Sequence, residues 1–147
     1  YADRLDSQCR VKVREAKNGD VVTKGEVLIA PGGDEQMSVV KIADNYQVVL
    51  KKGERVNGHC PSVDVLFNSV AEAAGPHAIG IILTGMGRDG AKGLLKMKNA
   101  GARTIGQDES TCVVYGMPKA AYDIGAVMHQ EKLQNIAKKT YNLINQG

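Results

Sequence analysis

Residues 80–90, GIILTGMGRDG, carry the residue types and spacing from which chemistry is most readily built. An apolar run ends at Leu83 and breaks into Gly85, Gly87 and Gly90, which permit turns that residues with a Cβ resist. Asp89 sits inside this loop, and a carboxylate there has three uses. It can accept the Nδ1 proton of an imidazole, fix its tautomer and stabilise it when charged, the third role in a Ser/His/Asp arrangement. It can cap a helix N-terminus, worth about 1 kcal/mol. It can also belong to a GxGxxG dinucleotide loop, since the three glycines fit that pattern and Asp108 lies at the spacing of a ribose-binding acid. The last use carries a cost: a carboxylate beside the helix N-terminus repels the pyrophosphate that should bind there, and Arg88 offsets only part of that. Backbone N–H groups of the same turn could stabilise an oxyanion.

An acid of this kind needs a base and a nucleophile. No GxSxG elbow occurs. Of the three histidines, His77 precedes the apolar run at the wrong end, and His129 opens the final helical region. His59, in Gly58-His59-Cys60-Pro61-Ser62, precedes a helix expected beside the strand, so a His59 and Asp89 pair activating Cys60 or Ser62 is conceivable. Adjacent residues in an extended segment point opposite ways, however, and Ser62 beside Pro61 is a natural helix cap. Cys60 and Cys112 read as small buried hydrophobes.

These residues must be positioned by regular elements. Residues 78–83, short, rich in isoleucine and without polar alternation, predict a parallel strand buried on both faces, with ligands at its carboxyl end. Residues 91–100 have helical spacing with Leu94, Leu95 and Met97 inward. Upstream, 10–15 and 26–30 read as short strands, and 37–42 with 46–51 flank Asp44-Asn45 as a hairpin, giving an antiparallel, turn-rich first third. Residues 62–74 form a helix with Val63, Leu66, Phe67 and Val70 on one stripe, stopped by Gly75 and Pro76. Then follow a strand over 103–107, a polar loop over 108–111, and a helix over 119–123 opened by Gly116-Met117-Pro118. A last strand over 126–128 precedes a closing helix marked by Leu133, Ile136, Ala137, Tyr141 and Ile144. The alternation predicts an α/β fold: a mostly parallel sheet covered by helices on both faces, with an antiparallel hairpin near the N-terminal third.

The chain of 147 residues is one domain's worth. Its longest apolar run is far under the roughly 18 residues of a crossing helix, so no membrane insertion is expected. The formal charge is +3 and the 19 basic residues are scattered; with one Phe, five Tyr and no Trp there is little to stack bases on, which argues against a nucleic-acid partner. Cys9, Cys60 and Cys112 are odd in number, widely spaced and without a CxxC pair. That fits a reducing cytoplasm and indicates neither a disulfide framework nor a zinc site, and no cofactor or metal is expected. The sequence starts at Tyr1 without Met, and residues 1–5 look like the last turns of an amphipathic helix, so the chain is expected to begin inside a larger protein.

In order and spacing, residues 59–67 (HCPSVDVLF), 80–90 (GIILTGMGRDG) and 112–118 (CVVYGMP), with a shorter match at Ile29-Ala30-Pro31-Gly32, resemble the catalytic domain of the chemotaxis protein-glutamate methylesterases (CheB type). The resemblance covers nearly the whole chain from Arg10 onward. It implies hydrolysis of glutamyl methyl esters on methyl-accepting chemotaxis receptors, in many members with deamidation of glutamines, by a Ser/His/Asp triad on an α/β sheet. An N-terminal receiver domain commonly regulates the enzyme. Asp89 matches the triad acid, and Met86 the residue whose backbone N–H is assigned to the oxyanion hole. The family's nucleophilic serine and triad histidine match neither Ser62 nor His59 and lie upstream of Tyr1. Residues 1–147 are therefore expected to be the C-terminal part of a catalytic domain, without the receiver domain and inactive as an esterase alone. Missing strands would leave apolar surface open to self-association. The rival readings are a dinucleotide-binding module using the GxGxxG loop and a non-catalytic binding or assembly module on the same scaffold.

Overall fold

Residues 79–82 form the strand that leads into the glycine loop. A computed structural model describes residues 1–146. In chain order the elements are α1 (Ala2–Gln8), β1 (Lys12–Glu15), β2 (Glu26–Ile29), β3 (Glu35–Ile42), β4 (Asn45–Lys52), α2 (Val63–Ala73), β5 (Ile79–Ile82), α3 (Ala91–Asn99), β6 (Arg103–Gln107), α4 (Met117–Asp123), β7 (His129–Glu131) and α5 (Leu133–Asn145). Single 3₁₀ turns occupy Gly75–His77 and Glu109–Thr111.

The strands β5, β6 and β7 make a parallel sheet in that order, in which Gly80 opposes Thr104 and Ile105 opposes His129. Side chains alternate across it. Ile82 joins Leu94 and Met97 of α3, Ala71 of α2 and Ala121 of α4 in one core. Ile79 and Ile81 turn the other way, onto Ile105 and onto Ile136 and Leu143 of α5. Helices thus cover both faces, as the alternating sequence predicts. A separate core of Ala16, Met37 and Val48 joins the β3–β4 hairpin to Leu66 of α2. Among the described residues no helix is long and apolar enough to cross a membrane.

Several expectations are corrected. Among the described residues β5 pairs only with β6, and its Ile79 and Ile81 are half-buried where the isoleucine run predicts full burial. The first third is only partly antiparallel. β1 and β2 pair in parallel, with residues 16–25 looping back between them and the Arg14 guanidinium gripping Asp20 at 2.8 Å and Glu26 at 3.0 Å. The hairpin tip is Ala43-Asp44, with Ala43 at φ 52°, because Asn45 is drawn into the ladder opposite Ile42. The last strand lies at His129–Glu131 and not at 126–128, because Ala126 and Val127 are spent on the core beside α3 and α4. On α5, Leu133, Tyr141 and Ile144 are exposed and the buried positions are Ile136 and Leu143. The predicted stripe is therefore wider than the face the sheet covers.

Candidate functional site

The site is assembled where β5 and β6 end. An α-helix leaves its first N–H groups without intrahelical acceptors. In α2 they are satisfied by a residue distant in sequence. Ser62 occupies the N-cap position, but its hydroxyl donates outward to Asp89 Oδ1 at 2.8 Å. Asp89 supplies the cap itself: Oδ2 accepts from Val63 N at 2.7 Å, and Oδ1 accepts from Asp64 N at 3.1 Å and from Asn57 Nδ2 at 2.9 Å. The side chain is only 4% exposed. The sequence pointed to an acid open to a neighbouring ring, whereas the structure turns this carboxylate toward the start of α2. Burial alone would raise its pKa, but the bonds from Asn57, Val63, Ser62 and Asp64 outweigh it, so Asp89 lies below the usual carboxylate range and is ionised at neutral pH.

A second carboxylate reciprocates. Asp64, buried in the first turn of α2, accepts Gly93 N of α3 at 2.7 Å through Oδ1 and Asn57 Nδ2 at 2.6 Å through Oδ2. Asp89, in the loop before α3, thus serves α2, Asp64 of α2 serves α3, and the Asn57 amide bridges the two acids. The arrangement weighs against the dinucleotide reading, because a carboxylate already holds a first-turn N–H that a pyrophosphate would need. Asp108 is likewise engaged in its own turn, where it accepts Ser110 N at 2.9 Å.

Met86, in the same glycine loop, is exposed where Asp89 is buried. Its side chain is 81% exposed, and its N–H donates to no protein acceptor among the described residues. The backbone beneath it is fastened to the loop after β6. Gly85 N donates to Val114 O at 3.1 Å, and Gly85 O accepts Gly116 N at 3.2 Å and Met117 N at 2.8 Å. Thr84 N donates to the buried Gln107 Oε1 at 2.7 Å. Met86 N–H is thus among the loop N–H groups that donate to no protein acceptor among the described residues, on a backbone anchored at Gly85 and three residues before the buried anionic carboxylate of Asp89.

With that geometry in hand, comparison with known proteins decides the family. The model of the CheB methylesterase family matches residues 1–140. The chain belongs to the CheB methylesterase family. It is 62% identical over 146 residues to the protein-glutamate methylesterase/protein-glutamine glutaminase 2 of Syntrophomonas wolfei, covering 99% of this chain and 42% of that protein. It is 56% identical over 146 residues to the protein-glutamate methylesterase/protein-glutamine glutaminase of Sulfurimonas denitrificans, covering 41% of it. The crystal structure of the Thermotoga maritima CheB methylesterase catalytic domain superposes with a TM-score of 0.92 at 37% identity, over 99% of this chain and 75% of that one. The chain thus spans less than half the length of the curated relatives named here.

In this CheB-family chain the histidines do not complete a triad. His59 is exposed, its backbone paired with Val56, and its side chain makes no hydrogen bond among the described residues. Ser62 is buried with its hydroxyl committed to Asp89, so the pairing of His59 with Ser62 or Cys60 is not assembled. His77 lies in the 3₁₀ turn before β5, at the opposite end of the strand from the loop. His129 is half-buried on β7, its pKa lowered by burial and by Lys139. Burial pushes the Cys112 thiol up, which keeps it a poor nucleophile. Asn57, Asp64 and Gln107 join the site without a role expected from the sequence. The Asn57-Gly58 pair and the acid in the first turn of α2 were available signals.

Proposed function

We propose that this chain is the C-terminal part of the catalytic domain of a cytoplasmic protein-glutamate methylesterase that acts on methyl-accepting chemotaxis receptors and also deamidates receptor glutamines; in support, its relatives are named protein-glutamate methylesterase/protein-glutamine glutaminase. The nucleophilic serine and the triad histidine come from outside residues 1–147, and a receiver domain regulates the whole. Asp89 is the acid that orients the histidine, and the Met86 N–H is an oxyanion donor.

The observation that carries this reading is the state of Asp89. A triad acid is a buried, ionised carboxylate that holds an imidazole tautomer without taking its proton. Asp89 is buried and ionised, and its Oδ2 accepts a single N–H among the described residues, which leaves that oxygen with capacity for an imidazole Nδ1–H. In the reaction the histidine takes the serine proton as the serine oxygen attacks the ester carbonyl. The oxyanion that forms is stabilised at Met86 N–H. Methanol leaves with the proton returned by the histidine, and water then hydrolyses the acyl-enzyme to the glutamate side chain. For a glutamine the leaving group is ammonia.

The test compares ester hydrolysis by residues 1–147 with hydrolysis by a longer chain extended beyond Tyr1. Turnover in the longer chain alone is the expected result. Turnover in residues 1–147 would overturn the assignment and return attention to His59.

A further inference from the structure

We propose that Thr84 and Gly116 are positioning residues that aim the Met86 N–H, an inference that rests on the oxyanion role given to Met86 above. The peptide joining Gly85 to Met86 is planar and trans, so its N–H points opposite to the Gly85 carbonyl. Whatever fixes that carbonyl fixes the donor. Gly85 O is held by two N–H groups, from Gly116 at 3.2 Å and Met117 at 2.8 Å. Those bonds exist only because the two loops touch without an intervening side chain. A Cβ on Gly116 would lie 2.7 Å from Gly85 O, 3.0 Å from Gly87 N and 3.2 Å from Gly87 O. Such contacts with backbone cannot be relieved by turning a side chain, so they would rotate this peptide.

Thr84 locks the same two loops one residue earlier. Its hydroxyl donates to Val114 O at 3.1 Å and accepts Val114 N at 2.9 Å, closing on both backbone groups of one residue as a neighbouring strand would. Behind it the Gln107 side chain, 1% exposed, accepts Thr84 N through Oε1 and donates to Thr111 O at 2.9 Å through Nε2. The hydroxyl itself is on the exposed side, at a residue that contributes little to the core. Packing of the fold does not require it, whereas the orientation of the loop does.

The experiment uses the intact enzyme with a glutamyl methyl ester substrate and compares Thr84→Val, Thr84→Ser, Gly116→Ala and Met86→Pro. Thr84→Val and Gly116→Ala are expected to lower kcat by about tenfold with KM little changed, less than the roughly 10²–10³-fold cost of losing an oxyanion donor outright. Thr84→Ser, which keeps the hydroxyl, is expected to restore kcat, and Thr84→Val to melt near the wild-type temperature. Wild-type kcat in both Thr84→Val and Gly116→Ala, or a change confined to KM, overturns the positioning claim. Wild-type turnover in Met86→Pro, which has no N–H at that position, overturns the donor assignment itself. Thr84→Val and Gly116→Ala together decide the positioning claim whether or not Met86→Pro folds.

Discussion

Asp89 receives four hydrogen bonds, and all four favour its charged form. A carboxylate whose folded pKa is lowered contributes stability that is fully present above its unfolded pKa of about 3.9 and is lost as pH falls through the lower folded value. Asparagine at this position has no charge to titrate, and its amide would turn N–H groups toward Val63 N. The stability difference between wild type and Asp89→Asn is therefore expected to hold steady from neutral pH down to about 5 and to shrink below about 4. Urea unfolding across that range measures it. A difference that does not vary with pH would show that the charge on Asp89 is not what the four donors hold. Asp20, lowered mainly by its bond to Arg14, titrates in both proteins and cancels from the comparison.

Between elements, the contact that matters is the close approach of α2 and α3, which lets Asp64 reach the first turn of α3. Gly93 permits it: a Cβ there would lie 2.6 Å from Phe67 Cβ and 2.9 Å from Asp64 Oδ1. Gly93→Ala is expected to cost about 1–3 kcal/mol by overpacking. Gly32→Ala, with nothing within 4 Å of the added carbon and no left-handed backbone, should be near neutral in the same thermal unfolding experiment. Equal stability of the two variants would refute the close contact. The elements themselves were largely legible in the sequence. Periodicity located α2, α3 and α5, and the isoleucine run located β5, because local spacing reports which face is buried. Pairing was less legible. That β1 and β2 run parallel depends on a ten-residue-scale return loop clamped by Arg14, and the last strand was misplaced because Ala126 and Val127 look like strand residues while serving as core. Of the candidate site, the glycine loop and Asp89 were legible in the residues themselves and Met86 only through the family resemblance, while the donors to Asp89 are 25 to 32 residues away in sequence and no local pattern links them.

For the whole molecule, a carboxylate that caps α2 from the loop after β5 ties the integrity of the fold to the function proposed for it. The surface around the loop is apolar, with Leu83, Met86, Val113 and Val114 all exposed. Under the proposed reading the serine, the histidine and the substrate meet here, against an acid and an N–H donor that residues 1–147 already hold in place. The capping role of Asp89 is visible in the hydrogen bonds, and the catalytic role is the claim at stake. The decisive measurement is kcat/KM of Asp89→Asn in the intact enzyme, made on protein whose circular dichroism and melting show it folded at the assay temperature. The expected result is a loss on the order of 10⁴-fold, the scale on which a triad fails when its acid becomes an amide. A folded Asp89→Asn enzyme with turnover within about tenfold of wild type, far short of that loss, would contradict the account and leave Asp89 as a helix cap alone.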